Sequence, residues 1–428
     1  MADADLVIRG GTVVDADGSR RADVAVADGV IVAVGDGLSG GRELDAGGCI
    51  VGPGLVDLHA HLREPGKEEA ETVETGARAA ARGGFTAVVA MPNTTPAIDS
   101  ASVVREVQAL GRDALCAVHP AAALTVGRAG EALTPMAELA DLGVRLFTDD
   151  GNGVQDDRLM RRAMEYATGL AHDVVLAQHC EVEALAEGGH MHEGAWSSRL
   201  GIPGIPAAAE ELMVARDLAL ARLTGARVHF QHMSTAGSVE LIRRAKADGV
   251  RATAEVAPHH LTLTDAEVAT FDAVFKVNPP LREQSDVDAV RTGLIDGTLD
   301  AVATDHAPHT QEDKEKPFDS APPGMLGLEY ALAIVLTEVG LPVEQALAVL
   351  SWRPAAIARL TEEHGGPVAE GRPANLCVVD PDAEWTVDPA DSASRSRNNP
   401  YAGRTLTGRV RHTVYRGEAV VIDTESQR

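Results

Sequence analysis

The middle of this chain alternates eight times between strand-like and helix-like segments. Apolar runs typical of buried strands end near Leu58, Met91, His119, Thr148, His179, His232, Val256 and Asp305. Segments with helical periodicity cover Glu68–Arg82, Ser100–Gly111, Pro135–Leu142, Asp157–Leu170, Ala207–Leu223, Gly237–Asp248 and Asp286–Ile295, and a last pair covers Leu328–Val339 and Pro342–Leu350. Eight βα units in roughly 250–300 residues predict an α/β fold of the (β/α)8, TIM-like kind. An open doubly wound sheet is the alternative, but no Gly-rich fingerprint follows the first strand.

The two ends of the chain have a different pattern, with short β-like runs separated by Gly and Asp turns. These runs are Leu6–Arg9, Thr12–Val14, Asp23–Ala27 and Ile31–Val34 before the middle segment, and Asn375–Asp380, Arg409–Tyr415 and Glu418–Ile422 after it. Neither end is long enough for a core of its own, and separate sheets would leave exposed edges. We therefore predict one small β-sandwich built from residues 1–52 and 365–428, with the barrel formed by residues 53–364.

Charge and cysteine usage limit the partners and the location. The formal net charge is −26, which argues against nucleic acid or an anionic membrane as a partner. The four cysteines are scattered, no apolar run is long enough to cross a membrane, and the acidic start Met1–Asp5 does not resemble a signal peptide. We expect a cytoplasmic protein with free thiols, in which an anionic substrate would need a local basic group.

The first strand of the middle segment ends in a pair of histidines. Within the stretch from Val51 to Arg63, a short apolar run bounded by Gly and Pro is predicted to be a buried strand that runs into His59-Ala-His61-Leu-Arg63. Because side chains alternate along a strand, His59 and His61 face the same way, as half of a metal site would require. Arg63 faces the same side and offers a fork for a carboxylate.

Other strand ends carry further candidate ligands. Asn93 follows the second strand, Asp149 and Asp150 the fourth, His179 the fifth, His232 the sixth, and Asp305 and His309 the eighth. A polar cap or anchor explains one or two such positions, but not five strands that all end in metal-ligand residue types. Four histidines and two aspartates at the carboxyl ends of barrel strands predict a pair of divalent metals, with zinc favoured by the nitrogen ligands.

Several other polar residues receive structural interpretations. His259 and His260 are adjacent, so at most one faces inward. His190 and His192 lie in a Gly-rich, polar loop and are predicted to be exposed to solvent. Lys276 is expected to form an ion pair rather than to take part in catalysis.

Taken together, these motifs resemble the amidohydrolase superfamily and, within it, the type I dihydroorotases. His-x-His occurs throughout that superfamily and says little about the substrate. The combination is more specific: Pro53 to Gly66 around His-Leu-Arg, Met91-Pro-Asn93-Thr, Lys276-Val-Asn278-Pro-Pro-Leu-Arg282 and Ala303-Thr-Asp305-His-Ala-Pro-His309. The resemblance spans nearly the whole chain.

The resemblance implies two Zn²⁺ ions per subunit. His59, His61 and Asp305 would hold one ion, His179 and His232 the other, and Asp150 would bridge them. Asp149 is the alternative bridge, and only one of the two can reach both metals because adjacent strand residues face opposite sides. Related hydantoinases carry a bridging carbamylated lysine at this place, beside Gly151, where this chain has no lysine.

The substrate contacts that the resemblance implies are His61, Arg63, Asn93, Asn278, His309 and the backbone at Pro323-Gly324. The family usually has Phe before this glycine, so Pro323 puts the local loop shape in question. Gln311–Lys316, just before it, is predicted to be a mobile flap over the mouth.

The implied reaction is the reversible interconversion of N-carbamoyl-L-aspartate and (S)-dihydroorotate plus water in de novo pyrimidine (UMP) biosynthesis. A metal-bridged hydroxide would be the nucleophile, and Asp305 the general base that then serves as general acid. The expected partner is this small-molecule substrate, with no nucleic acid and no membrane. A homo-oligomer, most simply a dimer, is expected, and the family also allows a complex with aspartate transcarbamoylase.

Two alternatives to this activity remain. One is another cyclic amidohydrolase, allantoinase-like or hydantoinase-like, against which the missing lysine and the presence of Arg63, Asn93 and His309 weigh. The other is a non-catalytic homologue that acts as a scaffold for aspartate transcarbamoylase. Such homologues typically lose metal ligands, and this chain keeps them all.

Overall fold

The computed structural model describes residues 4–427, so residues 1–3 and 428, at the outer ends of the two predicted terminal segments, lie outside it. The strands in chain order are Ala4–Arg9 (β1), Thr12–Asp15 (β2), Gly18–Arg21 (β3), Asp23–Ala27 (β4), Val30–Gly35 (β5), Gly40–Asp45 (β6), Ile50–Pro53 (β7), Leu55–Ala60 (β8), Phe85–Ala90 (β9), Ala117–Pro120 (β10), Leu146–Phe147 (β11), Val175–Gln178 (β12), Met191–His192 (β13), Gly204–Ile205 (β14), Val228–Phe230 (β15), Ala252–Val256 (β16), Ala301–Val302 (β17), Leu376–Thr386 (β18), Thr405–Tyr415 (β19), Glu418–Ile422 (β20) and Glu425–Ser426 (β21).

The α-helices all follow β8 and precede β18 in the chain. They are Val73–Arg82 (α1), Ala101–Leu110 (α2), Met136–Asp141 (α3), Asp157–Thr168 (α4), Glu183–Ala186 (α5), Ala195–Leu200 (α6), Ala208–Thr224 (α7), Ala236–Ala247 (α8), Gln284–Ile295 (α9), Gln311–Lys314 (α10), Ala331–Ile334 (α11), Val343–Leu347 (α12) and Arg353–Ala358 (α13). Helices α11 and α12 continue as wider turns over Val335–Val339 and Ala348–Trp352. Among residues 4–427, no helix has both the length and the apolar character needed to cross a membrane.

The central strands form two parallel sheets. One has the order β10-β9-β8 and the other the order β11-β12-β15-β16-β17. Single parallel bridges join the two sheets at both edges, between Ala122 and Phe147 and between Ala60 and His306. The predicted alternation of eight strands with helices is confirmed, and each strand ends within three residues of its predicted position.

Burial explains why the sequences of the central strands are mostly apolar. Every residue of β8 and of β9 is buried. A parallel strand with both faces covered needs apolar side chains on both of them, unlike a strand with one wet face. Helix α1 covers part of this sheet with Ala77, Ala80 and Ala81, which are fully buried. It begins at a capping box, where the Thr72 side chain accepts from the Thr75 N–H and the Thr75 hydroxyl oxygen accepts from the Thr72 N–H.

The two ends of the chain share a sheet. Strand β7 pairs antiparallel with β18, with Val51 opposite Val378, inside a seven-stranded sheet of order β21-β20-β19-β18-β7-β2-β3. A second, four-stranded sheet has the order β5-β4-β1-β6. Ile8 and Val24 from the second sheet share one apolar cluster with Val414 from the first. The pairing of the two terminal segments is as predicted.

The stretch from Val51 to Leu58 contains parts of two strands, because β7 belongs to the terminal sheet and β8 to the central one. Gly54 stands between them and has no room for a side chain, since a Cβ there would overlap Thr86. Its N–H donates to the carbonyl of Asn375, while the next N–H, of Leu55, donates to the Gly84 carbonyl. The chain therefore changes sheets at a single residue, within the Gly-Pro-Gly run that was predicted to bound the buried strand.

Candidate active site

The two histidines after β8 converge on two aspartates. His59 Nε2 lies 3.2 Å from Asp150 Oδ1 and 3.5 Å from Asp305 Oδ1. His61 Nε2 lies 3.6 Å from Asp150 Oδ2 and 3.2 Å from Asp305 Oδ1. All four side chains are buried. The strand alternation that predicted a common direction for the histidines therefore brings both rings to the same pair of carboxylates.

A second histidine pair lies on the other side of Asp150. His179 follows β12 and His232 follows β15, and the two rings approach with Nδ1 of His179 3.0 Å from Nε2 of His232. Each of these nitrogens lies 3.8 Å from Asp150 Oδ1. Asp150 is thus placed between two pairs of imidazoles that come from three strands.

The donor set of this cluster fits metal ions. Four buried atoms in it have no hydrogen-bond partner: His59 Nε2, Asp150 Oδ1, His179 Nε2 and His232 Nδ1. Buried polar atoms are nearly always paired, so such a concentration calls for another partner. His59, His61 and Asp150 form one group with ligand atoms close enough for one ion, and Asp150, His179 and His232 form another. Imidazoles around a shared carboxylate are the ligands that a pair of divalent cations takes.

The structure separates Asp149 from Asp150. Asp149 accepts hydrogen bonds from the Thr125 N–H at 3.0 Å and from the Thr125 hydroxyl. It thereby anchors the loop after β10 and faces away from the histidines. Of the two aspartates, Asp150 is the one that reaches them.

Electrostatics favour the metal-binding forms of Asp150 and His179. Burial raises the pKa of Asp150, but the neighbouring histidines outweigh it and hold that pKa well below its ordinary value. Burial and the neighbouring His232 ring lower the pKa of His179 to about 3. An ionised carboxylate and a neutral imidazole are the forms that bind metals. Burial alone would lower the pKa of His59, but the carboxylates of Asp150 and Asp305 raise it well above its usual range, so His59 would give up a proton on binding a cation.

A buried glutamate orients His59, and the sequence analysis did not identify it. Glu255 Oε1 lies 2.9 Å from His59 Nδ1, and its Oε2 lies 2.9 Å from His229 Nε2. Burial alone would raise the pKa of Glu255, but these two histidines lower it to about 2. A carboxylate behind a histidine fixes the ring and leaves the other nitrogen free for a metal. The signal available was a carboxylate within the apolar strand β16, where a buried charge requires a partner.

Asn93 lines the cavity and also forms a hydrogen bond to a candidate metal ligand. Its Oδ1 accepts a hydrogen bond from His61 Nδ1 at 2.9 Å. This bond presents His61 Nε2 to Asp150 and Asp305 in the same way that Glu255 presents the Nε2 of His59.

One small cavity contains all the predicted substrate residues. Its volume is about 160 Å³, and it is lined by His61, Arg63, Asn93, Asp150, Gly151, His179, His232, Val277, Asn278, Asp305, Ala307, His309 and Pro322–Gly324. The candidate metal ligands form one wall, apart from His59, which is not among the lining residues. The predicted substrate residues thus surround the metal-ligand cluster.

Arg63 is the positive charge of this cavity. It is buried, its Nε donates to the Pro308 carbonyl at 3.1 Å, and its Nη2 lies 3.4 Å from His309 Nε2. Burial lowers the pKa of Arg63 to about 10, so the group stays cationic at neutral pH. An ionised guanidinium held this deep inside an acidic protein needs an anion.

Three of the ten non-glycine residues with positive φ in the described part of the chain lie at the same place. Arg63, His232 and Asp305 have φ values of +62°, +36° and +46°, in the left-handed region that non-glycine residues avoid. Such strain persists where the surrounding structure enforces it, and it is common at functional sites.

Two interpretations from the sequence were wrong. His192 is buried rather than exposed, because Nη1 of Arg282 donates to its Nδ1 at 3.1 Å. Lys276 does not form an ion pair among the described residues, since its ammonium donates to the carbonyls of Phe318 and Asp319, both at 2.8 Å. Backbone carbonyls in these loops take the place of the expected carboxylate.

The adjacent histidines after β16 behave as expected, since only one faces the site. His259 Nε2 lies 3.9 Å from Asp305 Oδ2, while His260 is turned away and bonds the Pro279 carbonyl at 3.0 Å.

A third group of metal-ligand residue types lies outside the cavity. His192, Asp265 and Glu283 have ligand atoms within 4.8 Å of one another. Arg282 can only donate, so His192 Nδ1 is an acceptor and the ring proton sits on Nε2. That tautomer leaves no lone pair for a cation.

The predicted flap is a short helix in this structure. Lys314, at the end of α10, donates to the carbonyls of Ala273 and Pro322, both at 2.9 Å. Its ammonium therefore ties Gln311–Lys316 to two other loops of the cavity mouth.

The fold and the site define a class. An α/β fold that gathers histidines and aspartates at the carboxyl ends of parallel strands, next to a buried arginine, is that of a hydrolase of the amidohydrolase type. Solved structures agree: a D-hydantoinase matches with a TM-score of 0.86 at 26% identity, covering 99% of this chain and 96% of that one. The L-hydantoinase (dihydropyrimidinase) of Arthrobacter aurescens matches with a TM-score of 0.89 at 25% identity, covering 99% and 98%.

Comparison with sequence relatives identifies the family within this class. Residues 48–238 match the family described as dihydro-orotase-like. The dihydroorotase of Pelotomaculum thermopropionicum is 49% identical over 98% of this chain and 99% of its own length. Those of Streptomyces coelicolor and Mycobacterium tuberculosis are each 50% identical, over 97% and 94% of this chain and 98% and 96% of their own lengths. The chain belongs to the dihydroorotase family.

Proposed function

We propose that this protein is a dihydroorotase. It interconverts N-carbamoyl-L-aspartate and (S)-dihydroorotate plus water in the de novo synthesis of pyrimidines (UMP). The observation that carries this proposal is the position of Arg63: a buried cation lines the same small cavity as the cluster of candidate metal ligands. A cyclic amide that also bears a carboxylate matches both features. The relatives at about 50% identity support the same activity.

The residues present would hold two Zn²⁺ ions per subunit. His59, His61 and Asp305 would bind one, His179 and His232 the other, and Asp150 would bridge them. When bound, the metals would polarise the ring carbonyl and lower the pKa of the attacking water. The fit of the donor set is supported by the unpartnered buried atoms of His59, Asp150, His179 and His232.

Asp305 acts as the general base and then as the general acid. As the water oxygen bonds to the ring carbonyl carbon, Asp305 takes its proton; as the C–N bond breaks, it delivers that proton to the departing ring nitrogen. Its position supports this role, because Oδ1 lies 3.2 Å from His61 Nε2 while the carboxylate also lines the cavity. The reverse sequence closes N-carbamoyl-L-aspartate to the ring with loss of water.

Substrate binding would fall to Arg63 and other residues that line the same cavity. Arg63, with Asn93 and His309, would hold the carboxylate, because a guanidinium pairs with it through two parallel hydrogen bonds. His61 and Asn278 would contact the ring. The backbone contact would come from a carbonyl of Pro323-Gly324, since the Gly324 N–H already donates to the Lys276 carbonyl. The Pro323 carbonyl accepts from His309 Nε2 and the Gly324 carbonyl from Asn398, and each keeps a second lone pair. A carbonyl is unaffected by the proline that replaces the family phenylalanine.

We also propose that the two central sheets close into one (β/α)8 barrel. The single bridges Ala122–Phe147 and Ala60–His306 support this closure, because they lie at the two seams between the sheets. The two terminal sheets would form a β-sandwich around their shared apolar cluster. The corresponding domain ranges are 1–52 and 365–428 for the sandwich and 53–364 for the barrel.

A cytoplasmic location is supported by the four cysteines, which are buried and unpaired. A homodimer and a complex with aspartate transcarbamoylase remain proposals that size analysis, with and without the transferase, would test.

One experiment tests the activity. The purified protein is analysed for zinc per chain and assayed on dihydroorotate, hydantoin, dihydrouracil and allantoin. Zinc near two per chain with turnover of dihydroorotate alone is the expected result. Preference for hydantoin or allantoin would favour another cyclic amidohydrolase, and absence of bound metal together with inactivity on all four compounds would favour the scaffold.

A further inference from the structure

A segment from the C-terminal part of the chain, Ser392–Tyr401, reaches the mouth of the cavity. It is fixed first to the loop after β8. The Ser394 hydroxyl and the Arg395 N–H donate to the carboxylate of Glu71, which is fully buried, and the Ser396 hydroxyl donates to the Ala70 carbonyl at 2.8 Å. These contacts fix the segment just before Asn398.

Asn398 joins two stretches of chain that line the cavity. Its side-chain oxygen accepts from the His309 N–H at 3.2 Å. Its amide group donates to the Ala307 carbonyl at 2.9 Å and to the Gly324 carbonyl at 3.1 Å. The donors and acceptors leave only one orientation of the amide, because two carbonyls face the NH₂ group and one N–H faces the oxygen. The side chain is buried, so water does not substitute for these bonds.

The two joined stretches pack without a gap. A Cβ on Gly324 would lie 2.7 Å from His309 Nε2 and 2.8 Å from the Ala307 Cβ, and its φ is +146°. His309 Nε2 also donates to the Pro323 carbonyl at 2.8 Å. These contacts leave little freedom in the distance between His309 and Gly324. Asn398 forms a hydrogen bond to each of the two residues.

We propose that Asn398 is a positioning residue for substrate binding: it fixes His309 relative to Pro323–Gly324 so that both meet the bound substrate. The inference rests on the proposed function, which assigns substrate contacts to these residues. Asn398 touches neither the reacting atoms nor a candidate metal ligand, so it acts through His309 and Gly324. Its loss should weaken substrate binding more than it slows the chemical step.

Asn398→Asp is the sharpest test. The variant keeps the size and the acceptor oxygen but places a second oxygen against the carbonyls of Ala307 and Gly324. Asn375→Asp is a matched control, because Asn375 is as buried, donates its NH₂ to the Glu363 carbonyl and accepts from the Arg416 N–H, far from the cavity. Asn398→Ser, which retains a smaller donor and acceptor, serves as the second variant if the aspartate variant does not fold.

The readouts are KM and kcat for dihydroorotate, zinc content, and the Kd of dihydroorotate. We expect the KM and Kd of the Asn398→Asp protein to rise at least about five-fold, with zinc retained, kcat changed less, and a partial effect in the serine variant. Asn375→Asp should match the wild type. A KM for both Asn398 variants within two-fold of wild type, or a loss of kcat and zinc without a change in KM, overturns the proposal. Absence of dihydroorotate turnover by the wild type would instead overturn the proposed function, and this role with it.

Discussion

Glu255 holds His59 by a hydrogen bond of 2.9 Å between Oε1 and Nδ1, across 196 positions of the chain. The same carboxylate bonds His229 with its other oxygen, at 2.9 Å. His59 is therefore fixed in ring orientation and tautomer, with Nε2 turned to Asp150 and Asp305.

Glu255→Gln should weaken metal binding. The amide is a poorer acceptor for the His59 N–H and carries no charge, and losses of about 10- to 100-fold in metal affinity are typical for such partners. Competition with a chelator gives the zinc affinity of the purified variant. Glu187→Gln, at an exposed glutamate that is not among the residues lining the cavity, is the control. An unchanged zinc affinity would show that the orientation of His59 does not depend on Glu255.

Asp150→Asn and Asp149→Asn should differ in metal content. Asp150 faces both histidine pairs, so its variant should lose metal and activity together. Asp149 bonds Thr125 instead, so its variant should keep its zinc and lose only stability. Elemental analysis decides between them. Loss of zinc from the Asp149 variant, with retention by the other, would reverse the assignment of the bridge.

Arg63→Lys should raise the KM for dihydroorotate by about 10- to 100-fold, because lysine has no planar fork for a carboxylate and the lost bonds involve charged groups. Dihydrouracil lacks the carboxylate. The Ki of dihydrouracil as a competitive inhibitor should therefore be unchanged in the variant, and the change in this Ki is compared with the change in the KM for dihydroorotate. Equal increases in the two constants would mean that Arg63 supports the cavity rather than the carboxylate.

Two histidines outside the active site, His119 and His364, should make stability depend on pH. Burial lowers the pKa of His119 to about 4 and that of His364 to about 3, and the two rings pack edge to face with centroids 5.9 Å apart. Between pH 6.5 and about 4 the unfolded chain binds protons at these residues that the folded chain does not. The free energy of unfolding should therefore fall as the pH drops through this range and be unaffected by these residues above it.

His364→Gln removes one of these groups. Urea denaturation at pH 7 and pH 5 should show a smaller loss of unfolding free energy on acidification for the variant than for the wild type. An identical loss in both proteins would mean that His364 does not contribute to the acid sensitivity.

Local patterns predicted much of this architecture. Strand alternation placed His59 and His61 on one side, and the same rule allowed only one of Asp149 and Asp150 to face the histidines. Both arguments need only the geometry of one strand. Gly and Pro marked the start of the buried strand, but the change of sheets at Gly54 depends on pairing partners that are distant in the sequence.

Contacts between distant segments were also beyond local patterns. Asn398 meets Ala307 across 91 positions, and Glu255 meets His59 only when β16 and β8 lie in neighbouring parts of the fold. His192 shows the same limitation of local patterns. Its Gly-rich, polar loop predicted exposure to solvent, but the hydrogen bond from Arg282 keeps the ring buried. Composition describes a loop's average behaviour, and one long-range hydrogen bond overrides it.

The pairing of β7 with β18 has a consequence for the order in which the molecule is completed during synthesis. Strand β7 leaves the ribosome more than three hundred residues before its neighbour β18, and Asn398 follows later still. Until then β7 has an open edge on that side, and His309 and Gly324 lack the side chain that joins them. A nascent chain that already contains every candidate metal ligand would therefore still be an unfinished enzyme.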